Sequence, residues 1–477
     1  MGAAIMTVFQ PEELSAWSGG EWSGSPGPVH GVDHDTRRLR PGALYVALRG
    51  ERHDGHRFVA EAFRRGAAAA MVEAAWRPDG EVGPLLRVAD SLAALGDLAR
   101  GHRRRLRGRV VAVTGSVGKT TVKELIASAL ESVGGVARTP GNWNNDIGLP
   151  LSLLEMDPDQ VFGVFEIGMN RPGELERLCD ILRPDWAVIT RIGPVHIEFF
   201  PDERAIAEEK ATVLRRLPPD GCAVLAADEP WFDLLRERAA GRVVTVAFGA
   251  PADYSAEYSP RRPTRLSVRD RDGREAVYRL PQRGAPMRAN ALRAIAVARE
   301  AGVEPERIAE ALLRFRPPPM RWEECRLDGV RWINDAYNAN PISFREALRT
   351  FAETPGIRRR WLVLGGMREL GERTEEEHAA LGRLLAAGDW AGLVTVGELG
   401  ARFAEAVAAA GWPTHRLARC ADAGTAAAFL RTRLRSGDAV LLKGSRSERV
   451  EEVLEEWRRR RTRPAKDAAA NNRPRTR

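Results

Sequence analysis

The residues best able to do chemistry lie in Thr114-Gly-Ser-Val-Gly-Lys-Thr-Thr121, directly after the β-branched run Val110–Val113. Such a run reads as a buried strand, and its break at Gly115 and Gly118 gives way to a helical period. Val122, Leu125, Ile126, Ala129, Leu130 and Val133 fall on one helical face. Strand, glycine turn and helix N-terminus together make an anion site, because main-chain N–H groups converge there and the helix dipole adds positive potential. Gly115, Ser116, Val117, Gly118, Lys119, Thr120 and Thr121 are therefore the expected cradle for the phosphates of ATP, with Lys119 on the β- and γ-phosphates and the Thr120 hydroxyl on Mg²⁺. An ordinary strand-to-helix turn with an exposed lysine is the plainer alternative. The glycines, the lysine and the threonine standing together in this context favour the phosphate loop. The first glycine of the commoner, longer loop is replaced by Val113, so this is the shorter Gly-x-x-Gly-Lys-Thr form.

Other segments carry candidate chemistry. Thr139-Pro-Gly-Asn-Trp-Asn-Asn-Asp-Ile-Gly-Leu-Pro150 places Asn142, Asn144 and Asn145 between two prolines. Such a loop can hold a substrate, close over a nucleotide or satisfy its own turns. Glu166 ends the apolar run from Val161, at the strand edge where ligands of open α/β sheets bind, and it can ligate Mg²⁺ or cap the next helix. His196 follows the next strand and can be a ligand or a structural histidine. Lys210 read by itself is a surface lysine. In the last third, Met320-Arg-Trp322, Asn334-Asp-Ala-Tyr-Asn-Ala-Asn-Pro341, Gly365-Gly-Met-Arg-Glu-Leu-Gly371 and Lys443-Gly-Ser-Arg-Ser447 stand out. The last three lie at predicted strand ends and, together with the ATP loop, describe a cleft assembled from two domains. Asp335 is suited to a ribose and Arg321 to a phosphate.

The elements that must position these groups are α/β throughout. Residues 1–107 read as a small α/β domain with strands near 44–48, 67–72 and 85–88. The run His102-Arg-Arg-Arg-Leu-Arg107 reads as a solvated connector. Residues 108–317 alternate strands and helices, which predicts a mainly parallel sheet of the P-loop ATPase type. Asp272-Gly273 turns a hairpin added to it. Arg316-Pro-Pro-Pro319 is a stiff break, after which a second doubly wound domain fills residues 318–457. Residues 458–477 form a basic tail with the composition of a disordered segment.

At 477 residues, with 44% hydrophobic and 29% charged residues, the chain can build a large core. No apolar run approaches a membrane span, the N-terminus lacks the basic-then-apolar pattern of a signal peptide, and four scattered cysteines give neither a metal motif nor a disulfide framework. A reducing cytoplasm fits this best. The whole chain carries a formal +8, and so does the stretch from Arg458 to Arg477, with nine basic residues and one acidic. The body is thus formally neutral, and no nucleic acid is expected as a partner.

Taken together, Asp35-Thr-Arg37 with Pro41-Gly42 and Asp54-Gly-His56, the loop Thr114–Thr121, Gly141–Pro150, Tyr337-Asn-Ala-Asn-Pro341 and Lys443-Gly-Ser-Arg446 make the chain resemble the Mur ligases of bacterial peptidoglycan synthesis over nearly its whole length, tail excepted. The resemblance implies three domains: an N-terminal one for the UDP end of the precursor, a central one for ATP and a C-terminal Rossmann-like one. The implied activity is an ATP-dependent, Mg²⁺-assisted amide ligation of D-alanyl-D-alanine to UDP-N-acetylmuramoyl-tripeptide, serving cell-wall growth, cell shape and division. A cytoplasmic monomer is the expected state. It further implies Asp35, Arg37 and His56 as precursor contacts, and Asn142, Asn144, Asn145, Tyr337, Asn338 and Asn340 as substrate contacts. Asn290 would contact adenine, Arg321 a phosphate and Asp335 the ribose. Thr120 and Glu166 would form a first metal site, and His196 would serve a second with Lys210, a lysine that the family carbamylates. Gly366 departs from the family, which usually has Asp before this Met.

Overall fold

A computed structural model describes residues 7–50 and 53–459. The chain divides into two compact units, residues 1–193 with 199–316, and residues 194–198 with 317–477.

Two sheets organise the first unit. A five-stranded sheet runs in the order Glu21–Ser23, Leu85–Val88, Ala69–Glu73, Leu44–Val46, Val32–Asp33, parallel except for its first strand. The second has nine strands. Its parallel core places Arg109–Thr114 between Trp186–Ile189 and Phe162–Glu166, with Val136–Arg138 at one edge. On the other side come Cys222–Ala226, Arg242–Phe248 and Tyr254–Ser259, then the antiparallel pair Arg262–Asp270 and Glu275–Arg279. The hairpin over Asp272-Gly273 is therefore present, while Tyr254–Ser259 was not foreseen because its residues are mostly polar and half of them exposed. Strand Arg109–Thr114 is apolar on both faces, as a central parallel strand flanked by helices must be.

Helix Lys119–Leu130 packs against that sheet and against helix Ala285–Glu300, which also lies on the sheet. It is shorter than its apolar period suggests: the chain leaves the helix at Glu131 and Val133 is 38% exposed, so Val133 does not belong to the buried face. The basic run after residue 101 is also not a solvated connector. Helix Ser91–Arg103 includes its start, His102 is fully buried with Nε2 2.8 Å from the Met156 carbonyl, and Arg103 pairs with Asp185 at 2.9 Å. Arg105 reaches Glu13 at 2.9 Å. Charge in the sequence was a poor guide here because His102, Arg103 and Arg105 find a carbonyl or carboxylate on the neighbouring layer, while Arg104 and Arg107 are exposed.

The second unit is a six-stranded sheet in the order Glu323–Leu327, Val330–Asn334, Ala439–Lys443, Arg360–Leu364, Gly392–Val396, Leu417–Cys420, parallel except for its first strand. Helices cover both faces, which gives two apolar clusters, one around Phe344 and Phe403 and one around Trp332 and Trp457. The last helix, Glu452–Arg459, runs two residues into the stretch expected as a tail; residues 460–477 lie outside the described residues. All four cysteines are free. No helix among the described residues is long and apolar enough to cross a membrane.

Candidate active site

The glycine loop closes the carboxyl end of strand Arg109–Thr114. Gly115, at φ 143°, passes so close to strand Trp186–Ile189 that a Cβ there would lie 2.0 Å from the Thr190 hydroxyl. Gly118, at φ 95°, is the N-cap of helix Lys119–Leu130, and a Cβ on it would meet the Asn290 side-chain oxygen at 2.7 Å. Asn290 therefore stands directly against the loop. Ser116 and Val117 are tied to the segment after the next strand: the Ser116 N–H donates to the Arg191 carbonyl at 2.6 Å, and its hydroxyl exchanges bonds with Gly193 at 3.0 and 3.1 Å. The buried guanidinium of Arg293 braces the same strand end, donating to the carbonyls of Ile189 and Thr190 at 3.3 and 2.7 Å. Lys119 folds back, with Nζ 2.9 Å from the Gly115 carbonyl. Thr121 is half-buried two residues further on.

Thr120 and Glu166 meet. The Thr120 hydroxyl donates to Glu166 Oε2 at 2.7 Å, and the Asn144 amide donates to Oε1 at 2.7 Å. Glu166 ends one strand and Thr120 lies in the first turn of the helix that follows its parallel neighbour Arg109–Thr114, so sheet register brings them close. Of the asparagines in the loop from Thr139 to Pro150, Asn144 reaches the carboxylate, whereas Asn145 caps the following helix, accepting from Gly148 N at 2.9 Å. Asn142 is exposed. Lys210 is not on the surface. It is 2% exposed at the end of helix Glu203–Lys210, and burial pushes its amine well below the ordinary lysine range, with the nearby Lys119 charge pushing the same way. Helix periodicity carried the signal, since Ile206 and Ala207 lie on the same buried face one turn earlier.

In the N-terminal sheet, Asp35 makes a two-pronged pair with Arg37, at 2.9 and 2.7 Å, and this bond holds its carboxyl well below the usual range. Arg37 remains largely exposed. Next to it, Arg38 lies over the Trp143 ring at 4.3 Å, so this loop touches the asparagine-rich one. His56 is buried with both ring nitrogens engaged: Nδ1 lies 2.6 Å from Asp54 Oδ1, and Nε2 accepts from Glu73 N at 3.0 Å. It shapes the turn and has no nitrogen left for a ligand.

Within the second unit, the strand ends bring a further set together. Lys443 is 1% exposed, and its ammonium donates to Asp335 Oδ2 at 2.7 Å and to the carbonyls of Asp335 and Asn338 at 3.3 Å. The Arg321 guanidinium stacks on Tyr337 at 4.1 Å. Asn340 is a helix cap in this arrangement, accepting from Ser343 N at 2.9 Å in a reciprocal box, while Asn338 is exposed. Gly366 is a packing requirement, because a Cβ there would lie 2.1 Å from Leu399 Cβ. The loop that follows is anchored by His378, whose Nε2 accepts from Met367 N at 3.0 Å and whose burial lowers its pKa. Glu369 in this loop lies 2.7 Å from His196 Nδ1. Non-glycine residues at positive φ mark these segments: His196, Met320, Trp322 and Glu369 lie at 59°, 57°, 58° and 63°. Strain of this kind persists only where surroundings over-determine it, and it concentrates at functional sites. Lys123, Arg293, Lys443 and His378 had no assigned role in the sequence.

A parallel sheet carrying a glycine-lysine-threonine loop at its carboxyl edge, with an acid on the adjacent strand aimed at the threonine, defines a P-loop nucleotide-binding protein. Three family regions match in order: the Mur ligase family catalytic domain over residues 28–103, the Mur ligase middle domain over 113–298 and the Mur ligase glutamate ligase domain over 320–446. The chain belongs to the Mur ligase family. It is 34% identical to the UDP-N-acetylmuramoyl-tripeptide–D-alanyl-D-alanine ligase of Bacillus subtilis over 90% of this chain and 93% of that one. With the ligase of the same name from Escherichia coli it shares 34% identity over 91% and 95%. Among solved structures, MurF from Acinetobacter baumannii superposes with a TM-score of 0.85 at 29% identity, covering 95% of this chain and 99% of that one. MurF from Thermotoga maritima in complex with ADP gives 0.77 at 30% identity, covering 90% and 97%.

Proposed function

We propose that this chain is a cytoplasmic, monomeric ATP-dependent ligase that joins D-alanyl-D-alanine to the terminal carboxylate of UDP-N-acetylmuramoyl-tripeptide, with release of ADP and phosphate. The observation that carries the chemical part is the Thr120–Glu166 contact at the head of the phosphate-loop helix. Relatives named for this reaction along nearly the whole chain support the choice of substrates.

Residues 1–107 would bind the UDP end, residues 108–317 ATP, and residues 318–457 the dipeptide. Arg37, exposed and held by Asp35, is suited to a diphosphate; His56 serves by holding its turn. Gly115 to Thr121 would cradle the triphosphate, with Asn290 beside the base, and Arg321 and Asp335 would take phosphate and ribose. Asn142 and Asn144, with Tyr337 and Asn338, would face the peptide parts of the substrates, and Asn145 and Asn340 would fix the ends of those loops.

The donor set fits a divalent cation, since Thr120 and Glu166 offer hard oxygens where the phosphates would lie. Thr120 and Glu166 would hold Mg²⁺ there, and the positive charge it would supply would lessen the repulsion between the γ-phosphate and the attacking carboxylate. The chain's own part is positioning and charge. Lys119, released from the Gly115 carbonyl, neutralises the transferring phosphoryl group, and the loop amides fix its orientation. The acyl phosphate so formed is consumed by the dipeptide amine, and phosphate leaves as the amide closes. His196 would serve a second cation together with Lys210. The buried, neutral amine of Lys210 is the form that reacts with CO₂, which makes an anionic carbamate from a group that would otherwise repel a metal.

Phosphate release measured with each substrate omitted in turn tests the reading. Release should require precursor and dipeptide together. Rapid release with ATP alone would make the chain an ATPase instead. For the carbamate, Lys210→Ala and Lys210→Arg should both be severely impaired, and ¹³C-bicarbonate should give a carbamate resonance in the wild type that both variants lack.

A further inference from the structure

We infer that Lys123 is a positioning residue for the phosphate and metal site, holding the asparagine-rich loop in the register that presents Glu166. The inference rests on the nucleotide reading above. Lys123 lies one turn beyond Lys119 on the same helix and has no exposed surface. A buried ammonium needs polar partners, and this one donates to the Thr139 carbonyl at 2.5 Å and the Gly141 carbonyl at 3.0 Å and forms an ion pair with Glu124 Oε1 at 2.9 Å. Two of these acceptors are the main chain where the loop begins. The phosphate-loop helix and the asparagine loop are thereby joined by charge-assisted bonds, which are about twice as strong as neutral ones.

What hangs from that joint is Glu166. The Thr139 hydroxyl accepts from Glu166 N at 2.7 Å, so the pinned residue itself fixes the carboxylate's main chain. Asn144, further along the loop, donates to Oε1, and its carbonyl accepts from Gly168 N at 2.9 Å. Thr120, on the pinning helix, donates to Oε2. Every one of these holds on Glu166 comes from the helix or from the loop that Lys123 joins. The lysine gives the fold something an apolar residue cannot: a fixed distance between two main-chain carbonyls and the helix.

The test is Lys123→Met, which keeps the length and removes the donors, read by calorimetric binding of ADP across a Mg²⁺ titration and by phosphate release. The Mg²⁺ concentration for half-maximal ADP binding should rise about tenfold or more, the range seen when a partner behind a metal ligand is lost. The KM for the dipeptide should stay within about twofold, because uniform binding of the acceptor is untouched. Thr139→Val, which removes the hydroxyl that holds Glu166 N, should shift the Mg²⁺ requirement in the same direction. A folded Lys123→Met chain with the wild-type Mg²⁺ requirement overturns the proposal. If that variant does not fold, Thr139→Val decides, and a wild-type requirement there overturns it equally. The ADP arm needs neither precursor nor dipeptide, so it judges Lys123 apart from the ligase reaction; a wild type that binds no Mg²⁺·ADP removes the nucleotide reading and this proposal with it.

Discussion

Lys119 and Lys210 show how differently two lysines near one loop can be read. Lys119 was legible from spacing, because glycines and a hydroxyl residue bracket it. Lys119→Ala should lower turnover by about 10²-fold or more, as loss of one preorganised charge is commonly worth about 3 kcal/mol. The melting temperature should hardly move, since its ammonium bonds to the Gly115 carbonyl of its own loop in the free protein. Phosphate release and a thermal melt on the same preparation check both halves, and turnover within a few-fold of wild type would remove the loop from the mechanism. Lys210 was harder to read: Ile206 and Ala207 mark its helix face, but a single lysine in a charged helix does not announce that this face is buried. Its depressed pKa sets a sign: the folded state holds the neutral amine while the unfolded chain takes up a proton, so stability rises with pH until the unfolded pKa near 10.4 is passed. Without bicarbonate, Lys210→Met should therefore melt higher than wild type at pH 7, and the difference should narrow toward pH 10. A constant difference across that range would mean Lys210 is charged in the fold.

At the scale of elements, the strands around the site were readable because a central parallel strand is apolar on both faces and ends abruptly in glycine or a polar residue. Val110–Val113, Val161–Ile167 and Ala439–Leu442 all meet that description, and each ends where the candidate groups begin. Short or half-exposed strands such as Val136–Arg138 and Leu417–Cys420 lack that contrast and were missed. The run from His102 misled for a different reason: cations next to one another suggest solvent, yet helix Ser91–Arg103 lies against helices Gly148–Leu154 and Glu174–Leu182. His102 is neutral there. Its Nε2 donates to the Met156 carbonyl, Nδ1 has no partner among the described residues, and burial pulls its pKa down to about 4. The stability this represents is complete above the unfolded pKa near 6.5 and is lost as pH falls toward 4, on the order of 3 kcal/mol in all. Urea midpoints taken between pH 7 and pH 4.5 should fall more steeply for the wild type than for His102→Gln, which keeps a donor but cannot take up the proton. Parallel slopes would show that His102 is not the acid-sensitive group.

For the molecule as a whole, the sequence separates a nearly neutral body from a strongly basic terminus, and the second unit's core shows where the two should be divided. Trp457 is 8% exposed, its ring centroid lies 5.1 Å from that of Trp332, and its indole N–H donates to Asp328 Oδ2 at 3.0 Å. Arg431 lies over the same ring at 5.0 Å and donates to the carbonyls of Glu456 and Trp457 at 2.9 Å. The last helix is thus part of the fold through its final turn, so a boundary chosen on charge alone falls too early. Residues 460–477 carry seven basic residues and one acidic, which leaves a formal +2 on residues 1–459. Truncation after Arg459 should lower retention on a cation-exchange matrix while leaving turnover and melting temperature within error of the full chain. Truncation after Glu456 should instead destabilise, because losing a buried tryptophan costs about 3–5 kcal/mol. The two truncations differ by three residues, two exposed arginines and the buried Trp457, and it is the tryptophan that carries the packing. Equal melting temperatures for both would show that Trp457 does not close the core; a loss of turnover on truncation after Arg459 would mean that the basic residues beyond it act on the body.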